Sequence, residues 1–218
     1  MIGFTLWDIV RNLLLALRWT VVLSLLSFLL GGALGLVLLF MRNSKYLVLR
    51  NFVRIYVEVF QGTPLLMQLF LVFFGIALFG VEVPASLAAG TTLMFWSASF
   101  LAEIWRGCVE SIPRGQWEAS SCLAMGHFQQ MRYIVLPQAL RISIPPTVGF
   151  GVQIIKGTAV TSIIGMVELS KAGTIITNAT FQPFTVFGLV GLMYFALCWP
   201  LSKYSQSLER RFNVTHSH

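Results

Sequence analysis

Long apolar stretches dominate the chain, and short polar segments separate them. Residues 21–40 form the first stretch, which is interrupted only by serines and glycines. Four more follow at residues 65–81, 87–101, 142–167 and 184–201. A helix needs about 20 apolar residues to cross the hydrocarbon core of a bilayer. The pattern therefore predicts an all-α integral membrane protein with five transmembrane helices.

The longest polar segment, at about residues 106–141, lies between the third and fourth stretches. Residues 116–125 and 128–135 favour helix, and Gly126 is expected to interrupt them. Pro137 is expected to end the second helix, because proline lacks a backbone N–H and disfavours helix at the preceding residue. This pattern predicts a helix–turn–helix across one mouth of the membrane domain. An ordinary amphipathic connector on the lipid headgroups is the alternative.

The composition agrees with a single membrane domain over residues 1–218. The chain is 56% hydrophobic and 11% charged, with a mean hydropathy of +0.79. A net charge of +7 would suggest nucleic-acid binding in a soluble protein, but membrane proteins collect Lys and Arg in cytoplasmic loops. No nucleic-acid partner is therefore predicted. The three cysteines have no metal-ligand spacing, and the terminal His216 and His218 are interpreted as a disordered end, so no metal site is predicted.

Positive charge predicts the orientation of the chain in the membrane. Lys and Arg cluster after the first, third and fifth stretches, which places the N-terminus outside and the C-terminus in the cytoplasm. The polar segment is then cytoplasmic, and Glu58 and Glu103 are expected to pair with Arg54 and Arg106. The clustered residues are Arg42, Lys45, Arg50, Arg54, Arg106, Arg114, Arg132, Arg141, Lys203, Arg210 and Arg211.

Gly31 and Gly35 form a G-x-x-x-G pair in the first apolar stretch. Such a pair allows a second helix to approach closely, because no side chain separates the two backbones. The alternative is that glycine is simply common in membrane helices.

Short motifs in and around the polar segment carry a family resemblance. Glu118-Ala119-Ser120 is the start of the pattern, and Ile134-Val135-Leu136-Pro137 is its end. Together they resemble the "EAA" coupling loop of ABC transporter permeases, which has a Glu-Ala-Ala start, a glycine and an Ile-x-Leu-Pro end. The flanking motifs resemble the polar amino-acid uptake family of these permeases, in the same order, over residues 62–208. They are GTPLLMQLF, AEIWRG, SIPRGQWEAS, LPQALR, SIIGMVEL and TFQPF.

The resemblance implies a type I ABC importer-like permease in the bacterial cytoplasmic (inner) membrane. It implies four kinds of partner: a second permease chain, identical or homologous, two ATP-binding cassette subunits, a periplasmic or extracellular solute-binding protein, and a polar amino acid as substrate. The chain contains no G-x-x-x-x-G-K-[ST] phosphate-binding loop. ATP and Mg are therefore expected in the partner subunit, with no cofactor and no catalytic residue in this chain.

By the same resemblance, the polar segment transmits motion from the ATPase. Glu118 is expected to anchor the segment by pairing with an arginine, and the alternative is a solvated surface carboxylate. The residues expected to couple the chain to the ATPase are Glu118, Ala119, Ser120, Ala124, Gly126, Leu136 and Pro137.

The chain departs from the family pattern at three places. Ala124 occupies the usual glycine position and Gly126 follows two residues later, so the turn is either shifted or built without glycine at its usual place. Gln61 replaces the arginine of Arg-Gly-Thr-Pro. Gly157 replaces the aspartate of Lys-Asp-Thr-Ser, which removes a carboxylate that could pair with Lys156.

Charged and small polar residues at membrane depth are the candidates for a substrate pathway, because charges are costly there unless paired or hydrated. Thr161, Gly165 and Glu168 have i, i+4, i+7 spacing, which predicts one helical face able to hold a zwitterion. An interfacial Glu168 paired with Lys171 is the alternative, and Thr63 could instead serve only the backbone of a kink. The candidates are Gln61, Thr63, Lys156, Thr158, Thr161, Ser162, Gly165 and Glu168.

Three other functions are weighed against this one. An ATP-independent secondary amino-acid transporter or channel would need ion-coupling polar pairs and usually an internal repeat. An intramembrane enzyme would need a nucleophile with a base at membrane depth. If the chain were a scaffold subunit, the polar segment would have no function. Co-purification with an ATPase subunit separates the permease from all three.

Overall fold

The computed structural model describes residues 5–213, so His216 and His218 lie outside the described residues. Within this range the backbone is helical apart from short turns, and it contains no strand. The helices are α1 (Leu6–Arg42), α2 (Leu47–Gly62), α3 (Leu65–Phe70), α4 (Ala85–Glu110), α5 (Arg114–Cys122), α6 (His127–Gln130), α7 (Leu136–Thr158), α8 (Leu169–Thr180) and α9 (Pro183–Asn213).

Four helical segments of the described chain are long and apolar enough to cross a membrane. They are α1, α4, the continuous helix His127–Ile164 that contains α7, and α9. The remaining predicted crossing corresponds to a bent pair, Leu47–Gly62 and Leu65–Gly75, whose axes differ by 106°. The all-α membrane architecture is therefore confirmed.

The bend between α2 and α3 arises at Thr63-Pro64. Thr63 is extended (φ −115°, ψ 143°), the conformation favoured before proline. The Thr63 hydroxyl donates to the Val59 carbonyl at 2.7 Å, and the Gln68 amide donates to the Phe60 carbonyl at 2.8 Å. These side chains satisfy the carbonyls that the interrupted helix leaves free. The apolar stretch at residues 65–81 therefore supplies only the second of two helices that meet at a sharp bend.

Helix α1 begins fifteen residues before the apolar stretch that predicted it. Thr5 and Asp8 form a capping box, in which each side chain accepts from the other residue's backbone N–H. The resulting 37-residue helix is about 55 Å long, well beyond the ~30 Å hydrocarbon core.

The two glycines of α1 do form a close helix contact. An ideal Cβ at Gly31 would lie 2.7 Å from the Ser97 Cβ, and one at Gly35 would lie 3.1 Å from the Ala98 carbonyl oxygen, both on α4. The predicted packing role of the G-x-x-x-G pair is confirmed, and α4 supplies small residues opposite it.

Ion pairs hold the end of α4 to α1. Arg42 lies 3.4 Å from Glu103, and Arg106 pairs with both Glu103 and Glu110. The predicted Glu103–Arg106 pair is therefore confirmed. So is the predicted pair on α2, where Arg54 donates to Glu58 at 2.8 Å.

Pro137 does not end a helix, which contradicts the expectation from the sequence. A π turn, Met131–Val135, precedes it, and the Leu136 N–H bonds to the Met131 carbonyl, five residues back. The missing N–H of Pro137 therefore falls where the hydrogen-bond register already shifts, and it interrupts little. One helix consequently runs from His127 to Ile164.

Candidate functional site

The first helix of the polar segment ends in a turn built on Ala124. The Met125 N–H bonds to the Ser120 carbonyl and the Ala124 N–H to the Ser121 carbonyl, the bond pair of a Schellman motif. Ala124 has φ +57°, a left-handed conformation usually taken by glycine. Of the two alternatives, the turn is therefore built without glycine at its usual place.

Gly126 does not create the interruption, which corrects the expectation from the sequence. It caps α6 with φ −69°, an ordinary conformation, and a Cβ there would meet nothing within 4 Å. Its N–H donates to the Gln129 side chain at 3.0 Å. The break is located at Ala124.

We predict that Ala124→Gly stabilises this turn. A left-handed alanine costs about 1–2 kcal/mol, and the added flexibility of glycine offsets about 0.5–1 kcal/mol of that gain. The expected net gain is roughly 0.5–1 kcal/mol, measured as a higher midpoint of thermal unfolding in detergent. The control is Gly126→Ala, expected to be nearly neutral, and a lower midpoint for Ala124→Gly would contradict the prediction.

The polar segment has a fixed inner side. Ser120 and Gln130 are buried, and the Gln130 amide donates to the Ser121 hydroxyl at 2.8 Å, which ties α6 to α5. The rings of Trp117 and His127 stack with centroids 6.0 Å apart. These contacts fix α5 against the start of the long helix.

Several apolar side chains of the polar segment are exposed among its charged and polar residues. Leu123 and Phe128 are each 75% exposed and Tyr133 is 63% exposed. Ala119 lies exposed on α5, and Leu136 and Pro137 are also exposed. A patch of this kind on a rigid helical element is typical of a protein–protein contact.

Glu118 has no arginine partner among the described residues, so the expected anchoring pair is not formed within this chain. Its side chain lies exposed on α5 beside Ala119, which matches the alternative of a solvated carboxylate.

Glu168 is fully buried among the helices. It is 0% exposed. Its carboxylate accepts from the Tyr194 hydroxyl at 2.7 Å and from the Lys171 backbone N–H at 2.9 Å. The Thr20 hydroxyl lies 3.4 Å away and accepts from the Leu169 N–H at 3.1 Å. Glu168 thus caps α8 and joins it to α1 and α9.

The predicted zwitterion-binding face is wrong in its geometry. The helix ends in a short 3₁₀ turn at Ile164, and Gly165 is left-handed with φ +91°. Thr161 and Glu168 therefore do not follow one helical face. Glu168 also makes no ion pair with the Lys171 side chain; it accepts from that residue's backbone instead.

We predict that Glu168→Ala destabilises the chain strongly. It removes the cap of α8 and the carboxylate to which the half-buried Tyr194 hydroxyl donates, leaving the Ser170 hydroxyl as the remaining partner of Tyr194, at a cost of about 2–4 kcal/mol. Glu168→Gln should cost less, because its single amide oxygen still accepts one of the two bonds, whereas alanine accepts neither. Thermal unfolding midpoints of the two variants test this order, with exposed Glu82→Gln as control, and equal midpoints for wild type and Glu168→Ala would refute it.

The other pathway candidates lie in two environments. Thr158 and Thr161 are buried and their hydroxyls donate to carbonyls three residues back, at 2.7 Å each. Ser162 is half-buried. The Gln61 amide donates to the Ser99 carbonyl at 3.2 Å, so it tethers α2 to α4. Thr63 serves the backbone at the bend, as its alternative interpretation predicted.

Position 157 faces an apolar surface. A Cβ at Gly157 would lie 3.4 Å from a Leu65 methyl carbon and 3.6 Å from one of Leu93, with Trp96 beyond. The aspartate of the family pattern would therefore contact leucine and tryptophan carbons here.

Lys156 lies exposed at the edge of an open groove along α9, which the sequence analysis did not indicate. We call this groove, about 280 Å³ in volume, the Lys156 groove. Tyr194, Cys198 and Ser202 recur every fourth residue on α9, and Phe195 and Trp199 sit beside them. This helical spacing was the available signal. The lining residues are Lys156, Tyr194, Phe195, Cys198, Trp199 and Ser202.

Metal binding has no support in the described part of the chain. Among residues 5–213, no three His, Cys, Asp or Glu side chains are placed to hold a metal ion.

The known proteins that this chain resembles are transport permeases. A family model described as "Binding-protein-dependent transport system inner membrane component" matches residues 27–214. The probable amino-acid ABC transporter permease protein YckA of Bacillus subtilis (strain 168) is 32% identical over 97% of this chain and 98% of its own length. The L-cystine transport system permease protein TcyB of the same organism is 33% identical over 95% and 91%. The glutamine transport system permease protein GlnP of Escherichia coli (strain K12) is 29% identical over 96% of both chains.

Solved structures share the fold. A crystal structure of an amino acid ABC transporter with histidines matches 96% of this chain and 100% of its own, with a TM-score of 0.90 and 30% identity. An inward facing MetNI methionine ABC transporter matches 94% and 96%, with a TM-score of 0.68 and 20% identity. The second likeness shows the fold alone.

Proposed function

This chain belongs to the family of binding-protein-dependent transport system inner membrane components, and from that premise we propose that it carries polar amino acids as the permease of an ATP-driven importer. The amino-acid class is supported by the relatives, whose names include amino-acid, glutamine and L-cystine ABC permeases. The multi-pass inner-membrane location follows from the family. The N-terminus outside and the C-terminus in the cytoplasm remain a proposal from the distribution of positive charge.

One observation carries the proposed coupling. The polar segment presents exposed apolar side chains, and the helix that begins in it at His127 continues through the π turn and Pro145-Pro146 to Ile164. Lys156 lies on that same helix, 29 residues after its start, which is roughly 40 Å along the axis. A partner that moves the polar segment would thus move Lys156 through the same helix.

The partners follow from this mechanism. Two ATP-binding cassette subunits would receive the polar segment and hold ATP and Mg, so ATP hydrolysis takes place outside this chain and no cofactor is bound here. A second permease chain, identical or homologous, would complete the pathway, and a solute-binding protein would deliver the amino acid. Glu118, Ala119 and Leu123 form the centre of the proposed contact with the ATPase.

Uptake into proteoliposomes tests this function. The chain is reconstituted with its ATPase and binding protein, and accumulation of radiolabelled L-glutamine, L-histidine and L-cystine is measured with ATP, without ATP and with a non-hydrolysable analogue. We expect uptake of at least one amino acid only with ATP and the ATPase. Equal uptake without them would instead support the secondary transporter or channel.

A further inference from the structure

Helices α1 and α8 leave an open groove between them in the N-terminal half of α1. We call this space, about 330 Å³ in volume, the α1–α8 groove. Leu15 and Trp19 of α1 and Ile175 of α8 give it apolar walls. Arg18 is the only charged residue among the described residues that line it. The groove therefore combines an apolar surface with one positive charge.

The position of Arg18 along α1 places it at one surface of the bilayer. At the other end of the helix, Arg42 pairs with Glu103 in a cluster of charges that marks the opposite surface. The ~30 Å hydrocarbon core spans about 20 helical residues, so counted from Arg42 it ends near residue 22. Arg18 lies about 6 Å farther along the axis, within a headgroup layer that is about 5–7 Å thick.

Arg18 brings a positive charge that the described part of the chain does not pair. Within residues 5–213 it makes no ion pair and no hydrogen bond, and its guanidinium lies 5.5 Å from the centroid of the Trp19 ring. Glu168 is fully buried and accepts from Tyr194. Asp8 lies ten residues away, about 15 Å along the helix, where it accepts from Thr5. The negative charge that pairs with Arg18 must therefore come from outside these carboxylates, and phosphates lie at this depth.

An exposed apolar strip continues from the groove along α1 toward the centre of the bilayer. Leu15 and Trp19 line the groove, and Val22, Leu26 and Leu29 follow at spacings of three and four residues, which places all five on one side of the helix. Their side chains are 41–64% exposed. From Trp19 to Leu29 the strip is about 15 Å long, which is the depth of one leaflet of the hydrocarbon core. A lipid whose phosphate lies at Arg18 would thus have an apolar surface for its acyl chain.

We propose that the α1–α8 groove binds an anionic phospholipid, with Arg18 on its phosphate and one acyl chain along the strip that begins at Trp19. A zwitterionic phospholipid binds more weakly, because its ammonium group finds no carboxylate among the residues that line the groove. A lipid in this place contacts both α1 and α8 and so helps to hold them together. The inference goes beyond the proposed function and needs only the membrane location of the chain.

Native mass spectrometry of the purified permease–ATPase complex tests this site. The complex is delipidated in detergent and offered equal amounts of dioleoyl phosphatidylglycerol and dioleoyl phosphatidylethanolamine. Wild type should retain phosphatidylglycerol in clear preference. Arg18→Gln should weaken phosphatidylglycerol binding about tenfold, because a charge-assisted bond to the phosphate is lost. Arg18→Lys should retain binding within a few-fold, since it keeps the charge.

Arg11→Gln is the matched control, because Arg11 is exposed on the same helix and lies outside the groove lining. It removes the same charge and should bind phosphatidylglycerol like wild type. Equal retention of the two lipids by wild type, unchanged binding in Arg18→Gln, or equal losses in Arg11→Gln and Arg18→Gln would overturn the proposal. Unchanged lipid binding in Arg18→Gln together with weaker binding of the solute-binding protein would assign the groove to that protein instead. Uptake of amino acids is measured separately, so its failure would leave this site standing.

Discussion

Replacing Glu118 by lysine should abolish the stimulation of ATP hydrolysis by loaded binding protein while leaving the chain folded. Glu118 is exposed on α5 and has no partner among the described residues, so its loss removes no contact within the chain. It lies beside exposed apolar side chains of the polar segment, where the ATPase is proposed to dock. A reversed charge at such a contact costs several kcal/mol, which corresponds to at least a tenfold loss of stimulation.

The measurement is ATPase activity of the reconstituted complex, with and without loaded binding protein. Glu209→Lys is the control, because Glu209 is also exposed but lies on the last turns of α9, outside the polar segment. The control should retain stimulation. Full stimulation in an assembled Glu118→Lys complex would show that this carboxylate does not face the ATPase.

Replacing Gly31 by a bulky residue should have the largest effect on stability. Its added Cβ would approach the Ser97 Cβ to 2.7 Å and the Met94 carbonyl oxygen to 3.0 Å. The carbonyl cannot move without shifting α4. Overpacking of this kind costs about 1–3 kcal/mol for alanine, and Gly31→Leu is expected to leave no folded protein in the membrane.

Adjacent Gly32 provides a matched control in the same helix. A Cβ there would lie 3.7 Å from the nearest atom, on Trp105, which is ordinary contact. Thermal unfolding in detergent should therefore show a midpoint several degrees lower for Gly31→Ala and almost unchanged for Gly32→Ala. Equal midpoints for the two variants would mean that α1 and α4 do not pack as described.

Several features could be predicted because they depend on spacing along the chain. Hydropathy located α1, α4, α7 and α9, since a bilayer demands a run of apolar residues whatever packs beside it. The four-residue spacing of Gly31 and Gly35 places both on one helical side, so their close contact followed from sequence alone. The Arg54–Glu58 pair has the same local origin.

Two other expectations from the sequence were wrong, one at Pro137 and one at Gly126. A proline normally ends a helix, but the π turn before Pro137 already shifts the hydrogen-bond register, so the helix continues past it. Glycine normally takes the left-handed turn position, yet Ala124 holds it with φ +57° while Gly126 does not need to be glycine.

The sequence by itself determined the membrane class, the apolar spans, the small-residue contact and the motifs that lead to the family. Only the tertiary structure determined which groups surround the charged residues at membrane depth. Glu168 meets Thr20 across 148 positions of chain, and Lys156 meets the α9 aromatics only because α7 and α9 pack together. The cost of a buried charge depends on which groups surround it. Those groups come from distant parts of the chain, so packing supplies Glu168 with hydrogen-bond donors and leaves Lys156 exposed without an ion pair among the described residues.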